Sequence, residues 1–139
     1  MLYAFKAASE RHYEAAEVLD SNGKIADSAH LLGLAAECAI KSVLLGSGAI
    51  TLNQDGGFPE KYKVHIEKLV SLLPAIGSGR KWPGYHAKIQ SIGYFATWNA
   101  DDRYKAESEI PMRHYPKWKE AATQARALLA LASGEGCAL

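Results

Sequence analysis

The residues best placed to do chemistry lie on one apolar stretch. Ala26-Asp-Ser-Ala-His-Leu-Leu-Gly-Leu-Ala-Ala-Glu-Cys-Ala-Ile-Lys-Ser-Val-Leu-Leu45 carries two acids, a histidine and a lysine in an otherwise mostly apolar run. Read as a helix, it puts Asp27, His30, Glu37 and Lys41 within roughly 80° of one another at the usual 100° per residue. Leu34 is the apolar member of that stripe. Two readings follow. The stripe is a solvated seam, with Glu37 and Lys41 as a modest i,i+4 ion pair. Or it faces a groove, and a cation from elsewhere in the fold holds Glu37. A helix apolar over most of its circumference belongs at the centre of a bundle, which keeps the second reading open.

Further candidates are scattered. His65 opens the run His-Ile-Glu-Lys-Leu, and alone reads as a capping or surface histidine. Trp98-Asn-Ala-Asp-Asp-Arg-Tyr104 reads as a helix end stapled by aromatics, or as a ligand-facing turn with Arg103 and Tyr104. Gly46-Ser-Gly48 follows a helix instead of preceding one, so it is no phosphate loop. No serine sits in a nucleophile elbow. The five histidines show no metal-site spacing and there is no Cys-x-x-Cys, so neither metal nor cofactor is expected.

The elements that must position these residues read as helices. The first spans about residues 2–20, with Phe5, Ser9, His12, Ala16 and Leu19 on one face. Ser21-Asn22-Gly23 stops it, and the second runs from about Lys24 to Leu45. Residues 47–60 read as a long mobile loop. A third helix is expected from Pro59, with Tyr62, Ile66, Leu69 and Leu73 inward. A fourth is expected from Pro83, with Tyr85, Ile89, Ile92 and Ala96 inward. A charged loop covers 99–114. The last helix starts near Pro116, with Tyr115, Trp118, Ala122, Ala125, Leu129 and Ala132 at 3-4 spacing. No period-2 alternation persists. The expected fold class is all-α, an up-and-down bundle of four to five helices forming one domain over 1–139.

Composition narrows the function classes. A chain of 139 residues buries about two-thirds of its unfolded surface and folds without staples. A net charge of +1 argues against nucleic-acid binding through a broad basic footprint, though not against a local RNA-binding patch. Cys38 lies in the apolar helix and Cys137 near a Gly-rich end expected to fray, so a bridge is not expected and a reducing cytoplasm fits. Asp27, His30, Glu37 and Lys41 interrupt the best membrane-span candidate, so no membrane segment is expected.

Taken in order, Ala35, Glu37 and Lys41, then His65 and Leu69, then Tyr94, Trp98, Arg103 and Tyr104 resemble a HEPN domain. That family carries Ala-x-Glu-x-x-x-Lys on a central apolar helix and His-x-x-x-Leu at the start of the next. A Tyr or Trp then precedes Arg-Tyr. The likeness spans about residues 5–133. It implies a four- or five-helix bundle, commonly a homodimer, often fused to or partnered with a minimal nucleotidyltransferase, as in toxin–antitoxin-like pairs. It implies a non-catalytic module in which Glu37, Lys41, His65, Arg103 and Tyr104 converge on a nucleotide or other anionic ligand, or on that partner. Lys41 and Arg103 would hold phosphate, and Glu37 would orient the basic groups. Some members are metal-independent ribonucleases with Arg-Asn-x-x-x-His-x-Tyr, the His acting as acid or base and the Arg steadying phosphate charge. Here Arg80 and His86 satisfy only the loose spacing, with Pro83-Gly84 between them, and Lys105 replaces the Pro of an Arg-Tyr-Pro ending. A ribonuclease is the alternative enzyme reading, and a purely structural interaction bundle the third.

Overall fold

The computed structural model describes residues 3–89 and 92–139, and the chain is all-α, with no strand among the described residues. Leu2, where the first helix was expected to begin, lies outside them. Three long helices form the frame: α1 (Phe5–Ser21), α2 (Ile25–Gly46) and α5 (Tyr115–Gly134). Between α2 and α5 lie two short helices, α3 (Ile66–Leu72) and α4 (Trp82–Ala87), and a series of 3-10 turns.

α2 is the central element because its sequence leaves it little polar surface. Ala35, Ala36, Ala39, Ile40, Val43 and Leu44 are all buried. α1 lies antiparallel to it, and two buried hydroxyls clamp the pair. Ser9 donates to the Ala35 carbonyl at 2.8 Å and Ser28 lies 2.8 Å from the Ala16 carbonyl. Small residues at this seam (Ala16, Ala29 and Ala36) let the two backbones approach. α5 covers another face of α2 with Ala121, Ala122, Ala125, Leu128, Leu129 and Ala132. Where α1, α2 and α5 meet, Tyr115 donates to Asp20 at 2.6 Å and Lys119 pairs with the same oxygen at 3.0 Å. Burial and then Asp20 push the Tyr115 phenol up to about 12.

By length and composition alone α2 could cross a membrane, against the sequence expectation. In the fold, 67% of its most apolar stretch is buried inside the bundle, the place of a core helix.

The middle of the chain departs from the expected helices. The third, expected from Pro59, is a 3-10 turn over Glu60–Tyr62 followed by the seven-residue α3. The fourth is the six-residue α4, with a separate 3-10 stretch over Ile92–Thr97. Glycines at 77, 79, 84 and 93 and prolines at 74 and 83 deny this region a long α-helix. The change of helix type also moves the buried stripe. Ile92, Phe95 and Trp98, three apart, are buried, while Ala96 is exposed. Residues three apart eclipse on a 3-10 helix, so its inward face follows that period.

The 47–60 loop is irregular but anchored, contrary to the expectation of a mobile segment. Ala49, Ile50 and Phe58 are buried. Gly79, at φ +88°, lets its backbone come against Ala49, where a Cβ would lie 2.6 Å from the Ala49 nitrogen. The expected frayed C-terminus instead folds back. Cys137 donates its amide to Ala132 at 3.0 Å, and Leu139 lies against Gly46.

Trp98 holds the middle segment on α2. Its indole N–H donates to the Ala29 carbonyl at 2.9 Å, and its ring fills the space left by Gly33. A Cβ at Gly33 would overlap that ring, so the indole or the helix must shift. Gly33→Ala is expected to lower unfolding stability by about 1–3 kcal/mol, despite alanine's better helix propensity, by overpacking. Urea denaturation followed by circular dichroism measures it, and an unchanged or raised midpoint would contradict this packing.

Candidate functional site

The site grows from the Glu37–Lys41 pair on α2. Both residues are buried, Glu37 at 9% and Lys41 at 6% exposure, so this end of the stripe is not a solvated seam. The other end is different: Asp27 is exposed and His30 half-buried. Lys41 Nζ lies 2.9 Å from Glu37 Oε2. The second carboxylate oxygen, Oε1, lies 3.0 Å from His65 Nδ1.

His65 reaches Glu37 because it occupies the N-cap of α3 with extended backbone, ψ 169°, its carbonyl accepting from Lys68 and Leu69. It holds the N-cap position without a side-chain capping bond, and its exposed ring turns back toward α2 instead. An ionised carboxylate only accepts, so His65 Nδ1 carries the hydrogen. Nε2 is left as the ring's acceptor, or as a second donor on protonation. Glu37 is therefore held by a group from another element as well as by its helical neighbour.

Aromatic rings complete the setting. Lys41 Nζ is 5.9 Å from the Phe5 ring centre and 5.5 Å from that of Phe58, within cation–π range. Phe5 meets Phe58 edge-on at 5.1 Å, and Tyr3 stacks on Phe5 at 5.2 Å. The Phe58 amide donates to the Tyr3 hydroxyl at 3.3 Å. These groups, with Val64 and Lys63, line an open pocket of about 260 Å³ over Glu37, Lys41 and His65. The pocket wall from Tyr3, Phe5 and Phe58 was not foreseen as functional. Its sequence signal was the pair of aromatics two apart at the start of α1.

No protein-family model matches the chain. No curated protein and no solved structure matches it. The site must be read from its own chemistry.

Of the five residues expected to converge, the fold joins Glu37, Lys41 and His65. Arg103 and Tyr104 stand apart, on the 3-10 turn Ala100–Tyr104 that packs near the start of α2. Arg103 lines a different pocket with Asp27 and His30. Its guanidinium lies 4.7 Å from the ring of the exposed Tyr104. Trp98 stands between the two groups: His30 stacks on it at 5.7 Å, and His65 meets it at 6.4 Å and 65°. Arg80 and His86 lie on either side of the first turn of α4. Arg80 is exposed, and the His86 ring stacks on Trp82 at 5.6 Å. Among the described residues no contact joins those two. Cys38 sits beside Glu37 on α2, and burial pushes its thiol up to about 11, so it packs as an unreactive hydrophobe.

A buried pair resists losing one member. Lys41→Met alone leaves Glu37 buried with a half-exposed imidazole as its partner, and is expected to cost about 3–5 kcal/mol of stability. Glu37→Gln combined with Lys41→Met is expected to cost less than that single change, as read by urea denaturation. Equal or additive losses would show that the pair is not coupled. Histidine chemistry gives a second expectation. Burial lowers His12 and His30 below the usual histidine value, with Arg11 adding to the first and Arg103 to the second. The unfolded chain then binds more protons, so stability rises with pH through about 6.5 and falls as pH drops below it. Removing one of these titrations by His30→Gln is expected to flatten that slope in a denaturation series from pH 5 to 8.

Proposed function

We propose that this chain is a non-catalytic, HEPN-like binding module whose ligand site is the aromatic pocket over Glu37, Lys41 and His65. The observation that carries this reading is a charged pair buried on the central helix and opening into a pocket walled by Tyr3, Phe5 and Phe58. Buried ion pairs are poor sources of stability, since desolvation offsets much of their attraction. A pair kept at the floor of an open pocket is suited to recognition.

The ligand class follows from that floor. Glu37 neutralises Lys41, so the floor presents a carboxylate acceptor beside ammonium and imidazole groups, with little net charge. A planar heterocycle with a mixed donor–acceptor edge fits it, and the rings supply stacking surface. Lys63, on the rim and 2.8 Å from Glu60, is placed to meet an anionic tail. A nucleotide has both parts. On this reading the module works as a homodimer or beside a nucleotidyltransferase, and cleaves no RNA.

The test is titration of AMP into the full chain, followed by NMR. Binding is expected to move resonances of Phe5, Phe58 and His65. His65→Ala, whose side chain is 45% exposed, is expected to weaken binding about tenfold or more without unfolding the chain. No shift at millimolar AMP would overturn the nucleotide reading. RNA incubated with the protein in EDTA is expected to stay intact. Cleavage that disappears in His86→Ala or Arg103→Ala would move the chain to the ribonuclease reading.

A further inference from the structure

The cavity at the other end of the α2 stripe has about 410 Å³ of space and no part in the function just proposed. Two cations line it without a carboxylate partner among the described residues, Arg103 and Lys24. The Arg103 guanidinium carbon lies 4.7 Å from the Tyr104 ring centre, within cation–π range, and no carboxylate takes up its N–H groups among the described residues. His30 lines the same cavity, and its Nδ1 is buried without a hydrogen-bond partner among the described residues. Nδ1 is closed off from the cavity, and Nε2, which is not among the buried unpaired atoms, is the ring nitrogen left for a ligand. Stacking on Trp98 fixes the ring's plane, so Nδ1 cannot easily turn out to water.

We propose that this cavity is a second, independent binding site, in which a tetrahedral oxyanion such as phosphate or sulfate sits between Arg103 and His30. Arg103 donates its forked N–H groups to the anion and His30 donates from Nε2. Lys24 adds charge at the start of α2.

The acids around the cavity limit the site without closing it. Asp102 is engaged by Lys105 at 2.9 Å. Asp27 and Glu107 are exposed and line the cavity as well. Three cations thus face three carboxylates, and a nearly neutral lining makes affinity depend on donor geometry more than on overall field. His30 supplies the remaining charge when it takes a proton. Burial, then Arg103, His65 and His12 hold that proton off, while Asp27 favours it. An anion beside Arg103 cancels the second of these effects. Binding therefore promotes protonation of His30, and by reciprocity the anion binds more tightly as pH falls.

Sulfate is the probe, because its charge is constant over the range in which histidine titrates. The full chain is titrated from pH 5 to 8 by histidine NMR in saturating sodium sulfate and in sodium chloride of equal ionic strength. The midpoint of His30 is expected to rise in sulfate relative to chloride, with about tenfold tighter sulfate binding at the acid end for each unit of rise. Arg103→Gln, an exposed substitution that leaves the core untouched, is expected to abolish the sulfate effect and to raise the His30 midpoint by itself. His65→Ala is expected to leave sulfate binding in place, which separates this site from the aromatic pocket. A His30 response equal in sulfate and chloride, or a sulfate response that survives Arg103→Gln, would overturn the proposal.

Discussion

Burying a carboxylate and an ammonium group on the central helix is the constraint that organises this molecule. Glu37 and Lys41 keep little exposure on α2, so most of what each needs must come from protein. Glu37 takes one donor from its own helix and a second from His65. Lys41 is completed by two phenyl rings, one from the first turn of α1 and one from the end of the 47–60 loop. Three other parts of the chain therefore converge on the ion pair of α2. The loop's far end, the N-terminal aromatics and the start of α3 have their places fixed by what that pair requires.

Trp98 plays the corresponding role for the opposite stretch of α2. Glycine at 33 opens a slot in an otherwise crowded helix face, and the indole fills it with its N–H tied to a backbone carbonyl. The ring then separates two polar environments, with His65 and the buried pair on one side and His30 and Arg103 on the other. A single polar stripe in the sequence thus becomes two differently equipped pockets, one walled by aromatics and one by charges.

The three long helices were legible because each repeats an apolar period over 17 to 22 residues, long enough to outweigh local exceptions. The middle of the chain was not. Its elements are three to seven residues long and switch between 3.6 and 3.0 residues per turn, so a stripe drawn through Ile92 and Ala96 misses the face carried by Ile92, Phe95 and Trp98. Within the site, the Glu37–Lys41 pairing followed from spacing. The partnership with His65 came only with the family resemblance, because 28 residues separate it from Glu37 and no local pattern spans that gap. The separation of Arg103 from the pair was invisible, since it depends on where Trp98 lands. Gly33, an isolated glycine inside an apolar helix, was the available hint that a large ring packs there.

The three tryptophans share a neighbour type. Trp98 is flanked by His30 and His65, Trp82 is stacked under His86, and Trp118 has His114 at 6.1 Å. A protonated imidazole accepts an electron from an excited indole, whereas the neutral ring does so poorly. The protein's intrinsic emission is therefore a built-in record of the charge on four of its five histidines, and Trp98, in contact with a histidine of each pocket, reports both through one chromophore.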